Sequence, residues 1–305
     1  MKAEDKNQNA YYGVDVLEKL AVIYQQLYLI PGENSAELYK KIVLKGENAT
    51  KKELSHFIKS EWDSLLTEET PAGPVLVLTL HERADFELFL HIIGNRCMPY
   101  EVPKTQGAAI FDGLNNWQKI KQHKEAFLRD EMKKGNLFPD WLAEFRRFTA
   151  DKKNYTDSLI VLSCGPYSNI SAKHFGFTKE QWLAYSHDIR KYHECTHFIC
   201  RRMFPKKVDA VWDELVADAV GIYAAFGAFD MEMEEAFLGI RDGVYIGGRL
   251  QNYADEKSPQ ELSKTIHIVL ISFCKIFQIK TGAHPYEMAI VLENQKEALW
   301  DGIKN

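Results

Sequence analysis

Residues 178–204 read TKEQWLAYSHDIRKYHECTHFICRRMF, and this stretch decides how the second half of the chain folds. Thr178 followed three residues later by Gln181 is a capping box, a pattern that predicts the start of a helix. Apolar residues then recur at helical spacing until Pro205 ends the segment. The stretch therefore predicts one long helix that carries the pentapeptide HECTH at positions 193–197.

The HECTH pentapeptide places two histidines four residues apart. On a helix, His193 and His197 project from one face, so their imidazole rings can bind one metal ion together, and zinc suits two such ligands. Glu194 lies about 100° round the helix from His193, where its carboxylate can reach a water molecule on the metal without being a ligand. The motif therefore predicts a zinc site with Glu194 as general base.

Acidic residues interrupt the apolar run that follows, AVWDELVADAVGIYAAFGA at residues 210–228. Glu214 and Asp218 share one helical face among apolar neighbours. A carboxylate in such surroundings is costly unless a cation or a metal ion pairs with it. A zinc ion shared with the histidines would meet that need, although a solvated face of an amphipathic helix is the alternative.

With HExxH on one helix and ExxxD on the next, residues 193–221 resemble the gluzincin class of zinc metallopeptidases, of which thermolysin is the familiar member. The resemblance implies one zinc ion per chain with three protein ligands, which are His193, His197 and Glu214. It implies that Asp218 orients a ligand histidine, with Asp218 as the alternative third ligand. The related metzincin pattern is excluded, because Cys200 and Met203 stand where it requires glycine and histidine.

The same resemblance implies a zinc-dependent hydrolase that cleaves peptide bonds in a peptide or protein substrate. Such enzymes stabilise the oxyanion with a second donor, and Tyr245 and Arg249, four residues apart, are the candidates for that catalytic role. In similar enzymes a strand edge ahead of the motif helix binds extended substrate, and residues 158–163 stand at a suitable place in the chain.

The whole chain predicts an α+β fold that is predominantly helical, with a small sheet in the first half and an all-helical second half; the resemblance makes it zincin-like. Helices are predicted up to about residue 66, including 36–44 and 51–66, and again at 114–134 and 141–148. In the second half, helices are predicted at about 178–204, 207–226, 231–253, 258–280 and 285–303. Strands are predicted at 75–80 and 158–163, and residues 86–93 are left open. Two lobes are expected, 1–170 and 171–305.

The composition and charge of the chain argue against some classes of binding partner. The chain has 305 residues, 46% of them hydrophobic, and a formal charge of -5, so nucleic acid is not expected as a partner. Charged residues in MKAEDKNQNAYYG argue against a signal peptide, and residues 266–279 fall short of a membrane span. Five cysteines at scattered spacings predict buried, reduced thiols. We expect a cytoplasmic protein without a membrane partner; the oligomeric state stays open.

Two other functions remain open at the level of sequence. The first is a zincin-like binding or regulatory module without catalysis, against which the presence of Glu194 argues. The second is a di-metal carboxylate helical protein, because Glu53 with His56 and Glu194 with His197 both match the glutamate-x-x-histidine pattern.

Overall fold

The structure is a computed structural model that describes residues 10–32, 35–206, 209–254 and 258–302. It has an α+β fold with a small mixed sheet in the first half and helices dominating the second, so the predicted fold class is confirmed. The chain forms two compact units. The first comprises 1–68, 75–103 and 109–163, and the second comprises 69–74, 104–108 and 164–305. The two predicted lobes, divided at residue 170, stay a prediction.

The first unit is built around a five-stranded sheet. Its strands are β1 (Ala10–Tyr12), β2 (Ser64–Glu68), β3 (Val75–Leu80), β4 (Ala108–Asn115) and β5 (Thr156–Ser163). Their order is β1-β2-β3-β5-β4, with β1, β2 and β3 antiparallel and β3 parallel to β5. Continuous apolar runs in β3 and β5 suit strands that are covered on both faces.

The predicted strands at 75–80 and 158–163 are therefore confirmed. The expectation that 158–163 offers a strand edge to a substrate is wrong, because β5 lies between β3 and β4 and both of its edges are paired. The described edges of this sheet belong to β1 and β4.

Among the described residues of this unit, five α-helices accompany the sheet: α1 (Val16–Ile23), α2 (Ser35–Lys45), α3 (Arg83–Phe89), α4 (Trp117–Lys133) and α5 (Trp141–Thr149). The helix predicted at 51–66 is wrong, because its end is strand β2 and the residues before it form turns. The Asp85 carboxylate accepts the backbone N–H groups of Ile58 and Lys59 there, which replaces the hydrogen bonds of a helix. The element left open at 86–93 is helical.

The second unit contains α6 (Lys179–Met203), α7 (Ala210–Phe226), α8 (Met231–Leu238), α9 (Pro259–Ile279) and α10 (Pro285–Lys296). The capping box at Thr178 and Gln181 is confirmed. The helix predicted over 231–253 ends at Gly239, where φ is 79°. A short hairpin follows, with strands β6 (Ile240–Arg241) and β7 (Val244–Tyr245), so the second half is not entirely helical. The helices predicted at 207–226 and 285–303 each reach outside the described residues by one or two positions.

The helices α6 and α7 approach each other closely at Gly221. A Cβ atom at this position would lie 2.7 Å from the carbonyl oxygen of Ile189, closer than real Cβ atoms come. Glycine therefore allows the two backbones to meet one turn before the HECTH residues of α6. This close approach brings the acidic face of α7 against the histidine face of α6.

Helix α9 is long and apolar enough to cross a membrane by length and composition, so the expectation that no such segment exists needs correction. Buried α9 residues such as Ile266, Leu270 and Phe273 pack in the hydrophobic core of the second unit. The cytoplasmic location stays a prediction. Most of the N-terminal segment on which the signal-peptide argument depends, residues 1–9, lies outside the described residues.

None of the five cysteines forms a disulfide bond. Cys97, Cys195 and Cys200 are buried as expected, but Cys164 is exposed and Cys274 is half-buried. The expectation of burial is therefore wrong for Cys164, which follows directly on β5.

Candidate metal centre

Helices α6 and α7 bring three predicted ligands to one point. The Nε2 atoms of His193 and His197 lie 3.0 Å apart. The Glu214 carboxylate faces both, with Oε1 3.3 Å from Nε2 of His197 and Oε2 3.7 Å from Nε2 of His193. The two histidines are 5% and 8% exposed, so this convergence occurs away from bulk solvent.

These distances fit a tetrahedral zinc ion. Bonds of about 2.0–2.1 Å at tetrahedral angles place neighbouring ligand atoms roughly 3.3 Å apart. The Oε2 atom of Glu214 is buried and has no hydrogen-bond partner, as expected of an oxygen that a cation would satisfy. Among the described residues, these three form the only group of three or more potential ligands within 4.8 Å of one another.

Asp218 contacts His193 at the ring nitrogen that does not face the other candidate ligands. Its Oδ1 lies 2.8 Å from Nδ1 of His193 and accepts a 2.6 Å hydrogen bond from the Tyr167 hydroxyl, and its Oδ2 accepts from the guanidinium of Arg249. Asp218 is fully buried. A proton on Nδ1 that is donated to Asp218 leaves the lone pair of His193 on Nε2, where the three candidate ligands converge.

The charges of the cluster act on one another. Burial would lower the pKa of His193, but the hydrogen bond to Asp218 and the charges of Asp218, Glu214 and Glu194 outweigh burial and raise it. Burial would raise the pKa of Glu214, but its hydrogen bond to His197 and the charges of His193, His197 and Arg249 outweigh burial and lower it. Glu214 is therefore ionised at neutral pH, as a carboxylate ligand must be.

Glu194 directly follows the first candidate ligand on α6 and is half-buried. Its charge is among those that raise the pKa of His193, so it lies in the electrostatic neighbourhood of the cluster. It does not belong to the three converging residues, as the motif predicts for a base that is not a ligand.

The two predicted oxyanion donors lie in different surroundings. The Tyr245 hydroxyl donates to the carbonyl oxygen of Gly248 and accepts from its backbone N–H, each at 3.0 Å, so it stabilises a local turn. The structure does not bring Tyr245 to the cluster, because a hairpin replaces the continuous helix that would have given it the same face as Arg249. Arg249 does reach the cluster, but its guanidinium is bound to Asp218.

Three residues in the electrostatic neighbourhood of the cluster were not found by sequence reasoning. Tyr167 contacts His193 and Asp218 from a turn that precedes α6, where Ser168 and Asn169 adopt left-handed backbone conformations with φ of 48° and 58°. The ring of Tyr253 lies 6.0 Å from the guanidinium carbon of Arg249, and burial, followed by the charges of Glu214 and Asp218, raises the pKa of its hydroxyl, whereas the charge of Arg249 lowers it. The third residue, Glu234 on α8, is fully buried. The sequence could have indicated Glu234 only as a glutamate among the apolar positions of an amphipathic helix.

The glutamate-x-x-histidine pair in the first unit does not form a metal site among the described residues. Nε2 of His56 lies 3.0 Å from the carbonyl oxygen of Leu27, and neither Glu53 nor His56 belongs to a group of three potential ligands. The structure therefore offers no support for the di-metal alternative.

A family model described as a family of unknown function, DUF7005, matches residues 6–283. The chain belongs to DUF7005. The match contains every residue of the cluster described above, from Tyr167 to Tyr253. Neither curated proteins nor solved structures yield a match to this DUF7005 member.

Proposed function

We propose that this protein is a zinc-dependent hydrolase that cleaves peptide bonds. The observation that carries the proposal is the convergence of His193, His197 and Glu214, with Nδ1 of His193 held by a buried aspartate. Two imidazoles and one carboxylate are the ligand set of catalytic zinc sites such as that of thermolysin. The gluzincin resemblance of residues 193–221 agrees with this assignment.

A zinc ion held by these three residues would polarise a substrate carbonyl and make a water molecule a better nucleophile at neutral pH. The chain's own residues have separate tasks. Asp218 keeps the proton of His193 on Nδ1, and Glu214 contributes a negative charge to the ligand set. The carboxylate of Glu194 accepts the proton of the attacking water.

For the oxyanion donor we now propose Tyr253 in place of Tyr245. Its ring lies 6.0 Å from the guanidinium carbon of Arg249, and its hydroxyl keeps its proton because burial, followed by the charges of Glu214 and Asp218, raises its pKa. A neutral hydroxyl at this place can donate a hydrogen bond to a developing negative charge. Arg249, which is bound to Asp218, would position that carboxylate.

The proposal is tested on purified protein reconstituted with zinc, by elemental analysis and by cleavage of a mixed peptide library. We expect one zinc per chain and measurable cleavage. The Glu194→Gln variant should keep its zinc and lose at least about 100-fold in rate, because general-base catalysis contributes that much. Glu180→Gln, an exposed carboxylate in the first turn of the same helix, is the control and should behave as wild type.

The zinc and cleavage measurements distinguish the hydrolase from the other proposed functions. Zinc binding without cleavage of any peptide would favour the catalytically silent binding module. Full activity in Glu194→Gln would remove Glu194 from the mechanism. Absence of zinc after reconstitution would overturn the metal site itself.

A further inference from the structure

Tyr167 is a buried residue to which the proposed mechanism gives no task. Its hydroxyl oxygen lies 2.8 Å from Nδ1 of His193 and donates a 2.6 Å hydrogen bond to Oδ1 of Asp218. The same Oδ1 atom lies 2.8 Å from Nδ1 of His193, so the three polar atoms form a closed triangle. All three residues are buried, so these contacts are made away from bulk solvent.

The directions of the three hydrogen bonds follow from the number of protons. A tyrosine hydroxyl has a single proton, which Tyr167 donates to Asp218, so toward His193 its oxygen can only accept. An unprotonated Nδ1 would face two oxygen lone pairs at 2.8 Å, whereas a protonated Nδ1 donates to both oxygens. The triangle therefore favours a proton on Nδ1, which leaves Nε2, facing His197 and Glu214, available to a metal ion.

The backbone of Tyr167 is itself held by α6. Tyr167 lies in a turn where the next two residues, Ser168 and Asn169, have left-handed backbone conformations with φ of 48° and 58°. The backbone N–H of Tyr167 donates at 2.9 Å to the hydroxyl of Ser186, a fully buried residue of α6. Ser186 and His193 are seven residues apart, so they lie on one face of α6 about two turns apart. One helix thus binds Tyr167 at its backbone and at its hydroxyl.

Further contacts from α6 fix both ends of the same turn. Arg190 donates to the carbonyl oxygen of Gly165 at 3.1 Å, and the indole N–H of Trp182 donates to that of Ile170 at 2.8 Å. Left-handed conformations of residues other than glycine cost energy and persist where the surrounding structure over-determines them, which is frequent at functional sites. A turn held in this way gives the Tyr167 hydroxyl a fixed position.

We propose that Tyr167 is a positioning residue of the metal centre: its hydroxyl serves, beside Asp218, as a second acceptor for the Nδ1 proton of His193 and thereby keeps Nε2 directed at the other two candidate ligands. This inference rests on the proposed function, because it assumes that His193 is a zinc ligand. Tyr167 touches neither substrate nor metal. It acts through His193 and Asp218.

The test removes the hydroxyl group and keeps the ring. Tyr167→Phe retains the packing against Phe237, whose ring centroid lies 4.8 Å away. We expect this variant to bind zinc about tenfold more weakly in competition with a chromophoric chelator, because supporting residues of metal ligands carry effects of about 10- to 100-fold. In the zinc-free variant, the Nδ1 proton of His193 should exchange with solvent faster than in wild type, because it has lost one of two acceptors. NMR of protein with isotope-labelled histidine measures this exchange, and loss of the resonance in His193→Gln assigns it.

Tyr223→Phe is the matched control. Tyr223 lies on α7, is buried, and its hydroxyl also makes two hydrogen bonds, to the carbonyl oxygen of Ala283 and from the backbone N–H of Gly282, each at 3.1 Å. Both variants should lower the Tm of the zinc-free protein, because each loses a buried, hydrogen-bonded hydroxyl group. Only Tyr167→Phe should change zinc affinity and the exchange of the Nδ1 proton.

Zinc affinity and proton exchange must change together. Wild-type zinc affinity in Tyr167→Phe would overturn the inference and leave the zinc site intact. Weaker zinc binding with unchanged exchange of the Nδ1 proton would also overturn it, because the effect would not act through His193. Equal losses of affinity in Tyr167→Phe and Tyr223→Phe would overturn it as well, since any buried hydroxyl would then have the same effect. If the wild-type protein itself binds no zinc, the proposed function fails, and the inference fails with it.

Discussion

Each unit of the protein contains a histidine, a carboxylate and an arginine in contact, and the two clusters differ in burial and in convergence. In the first unit, Glu144 accepts from His123 at 2.5 Å and from Arg147 at 2.6 and 2.7 Å. The Arg147 side chain is 74% exposed, and the ring of His123 stacks on Phe148. In the second unit, the aspartate between histidine and arginine is fully buried.

Convergence of several potential ligands distinguishes the candidate site from an ion pair that includes an exposed arginine. The His123 cluster satisfies its own charges, and among the described residues it belongs to no group of three potential ligands. In the His193 cluster, Nε2 of His193 faces a second imidazole and a carboxylate, and these three residues form a group that could hold a metal ion. The same residue types therefore serve surface stability in one unit and, in our proposal, zinc binding in the other.

The largest expected difference between the two clusters is in the zinc content of the protein after one histidine is removed from each. We expect His197→Ala to lose zinc completely under conditions that give one zinc per wild-type chain, because two remaining ligands no longer form a closed set. His123→Ala should keep the full zinc content. Elemental analysis after dialysis measures both. Equal zinc content in the two variants would remove the distinction between the clusters.

Substitution of the two arginines should lower the free energy of unfolding by different amounts. Arg249→Met leaves the buried Asp218 carboxylate without its cation, and breaking a buried pair costs about 3–5 kcal/mol. One fifth of the Arg249 side chain is exposed, so we expect the lower end of that range. Arg147→Ala should cost only a small part of this amount, because its side chain is mostly in solvent. Denaturant unfolding of the zinc-free proteins gives both values, and similar losses would contradict the comparison.

Substitution of the two carboxylates should affect zinc affinity differently. Asp218→Asn keeps the shape of the side chain but weakens its hold on the Nδ1 proton of His193, and changes at such supporting residues lower metal affinity about 10- to 100-fold. Glu144→Gln is the matched change in the other cluster and should have no effect. Chelator competition measures the ratio. An unchanged affinity in Asp218→Asn would mean that the buried aspartate does not support the ligand.

The smallest expected effect is a pH dependence of stability that belongs to the surface cluster. The hydrogen bonds from Arg147 and His123 outweigh burial and lower the pKa of Glu144 from 4.5 to about 2. Because the folded-state pKa is depressed, the stabilisation is fully present above about pH 4.5 and is lost as the pH falls toward 2.

Wild-type protein should therefore lose more stability than Glu144→Gln between about pH 4.5 and 2, as measured by unfolding at each pH. Glu125→Gln, at an exposed position on α4, is the control and should follow wild type. Parallel pH profiles for wild type and Glu144→Gln would show that the ion pair contributes nothing to the folded state.

Much of the candidate site could be predicted because it depends on local spacing. A four-residue interval places His193 and His197 on one face of any helix, and the same interval relates Glu214 to Asp218. The capping box and Pro205 delimit α6 by local chemistry alone. Helical periodicity and apolar runs likewise identified the segments that became α6, α7, β3 and β5.

The errors arose where long-range interactions override local pattern. The periodic residues before β2 form turns instead of a helix because Asp85, from another part of the chain, satisfies their backbone N–H groups. Tyr245 was misplaced because it ends a hairpin strand and Arg249 begins the helical turn that follows, so no continuous helix puts the two side chains on one face. Tyr167 reaches His193 and Asp218 only through the packing of separate elements, which the sequence order does not reveal.

The close approach at Gly221 has a consequence for which ion the centre would accept. Where side chains separate two helices, rotamer changes let the gap widen, but here backbone lies against backbone and the gap has nothing to adjust. The distance between the histidine face and the carboxylate face is then fixed by the helices themselves. In our proposal an ion of zinc's size would be held without moving the helices, whereas calcium, with oxygen ligands at about 2.3–2.6 Å and a shell of roughly six to eight, would need them to separate.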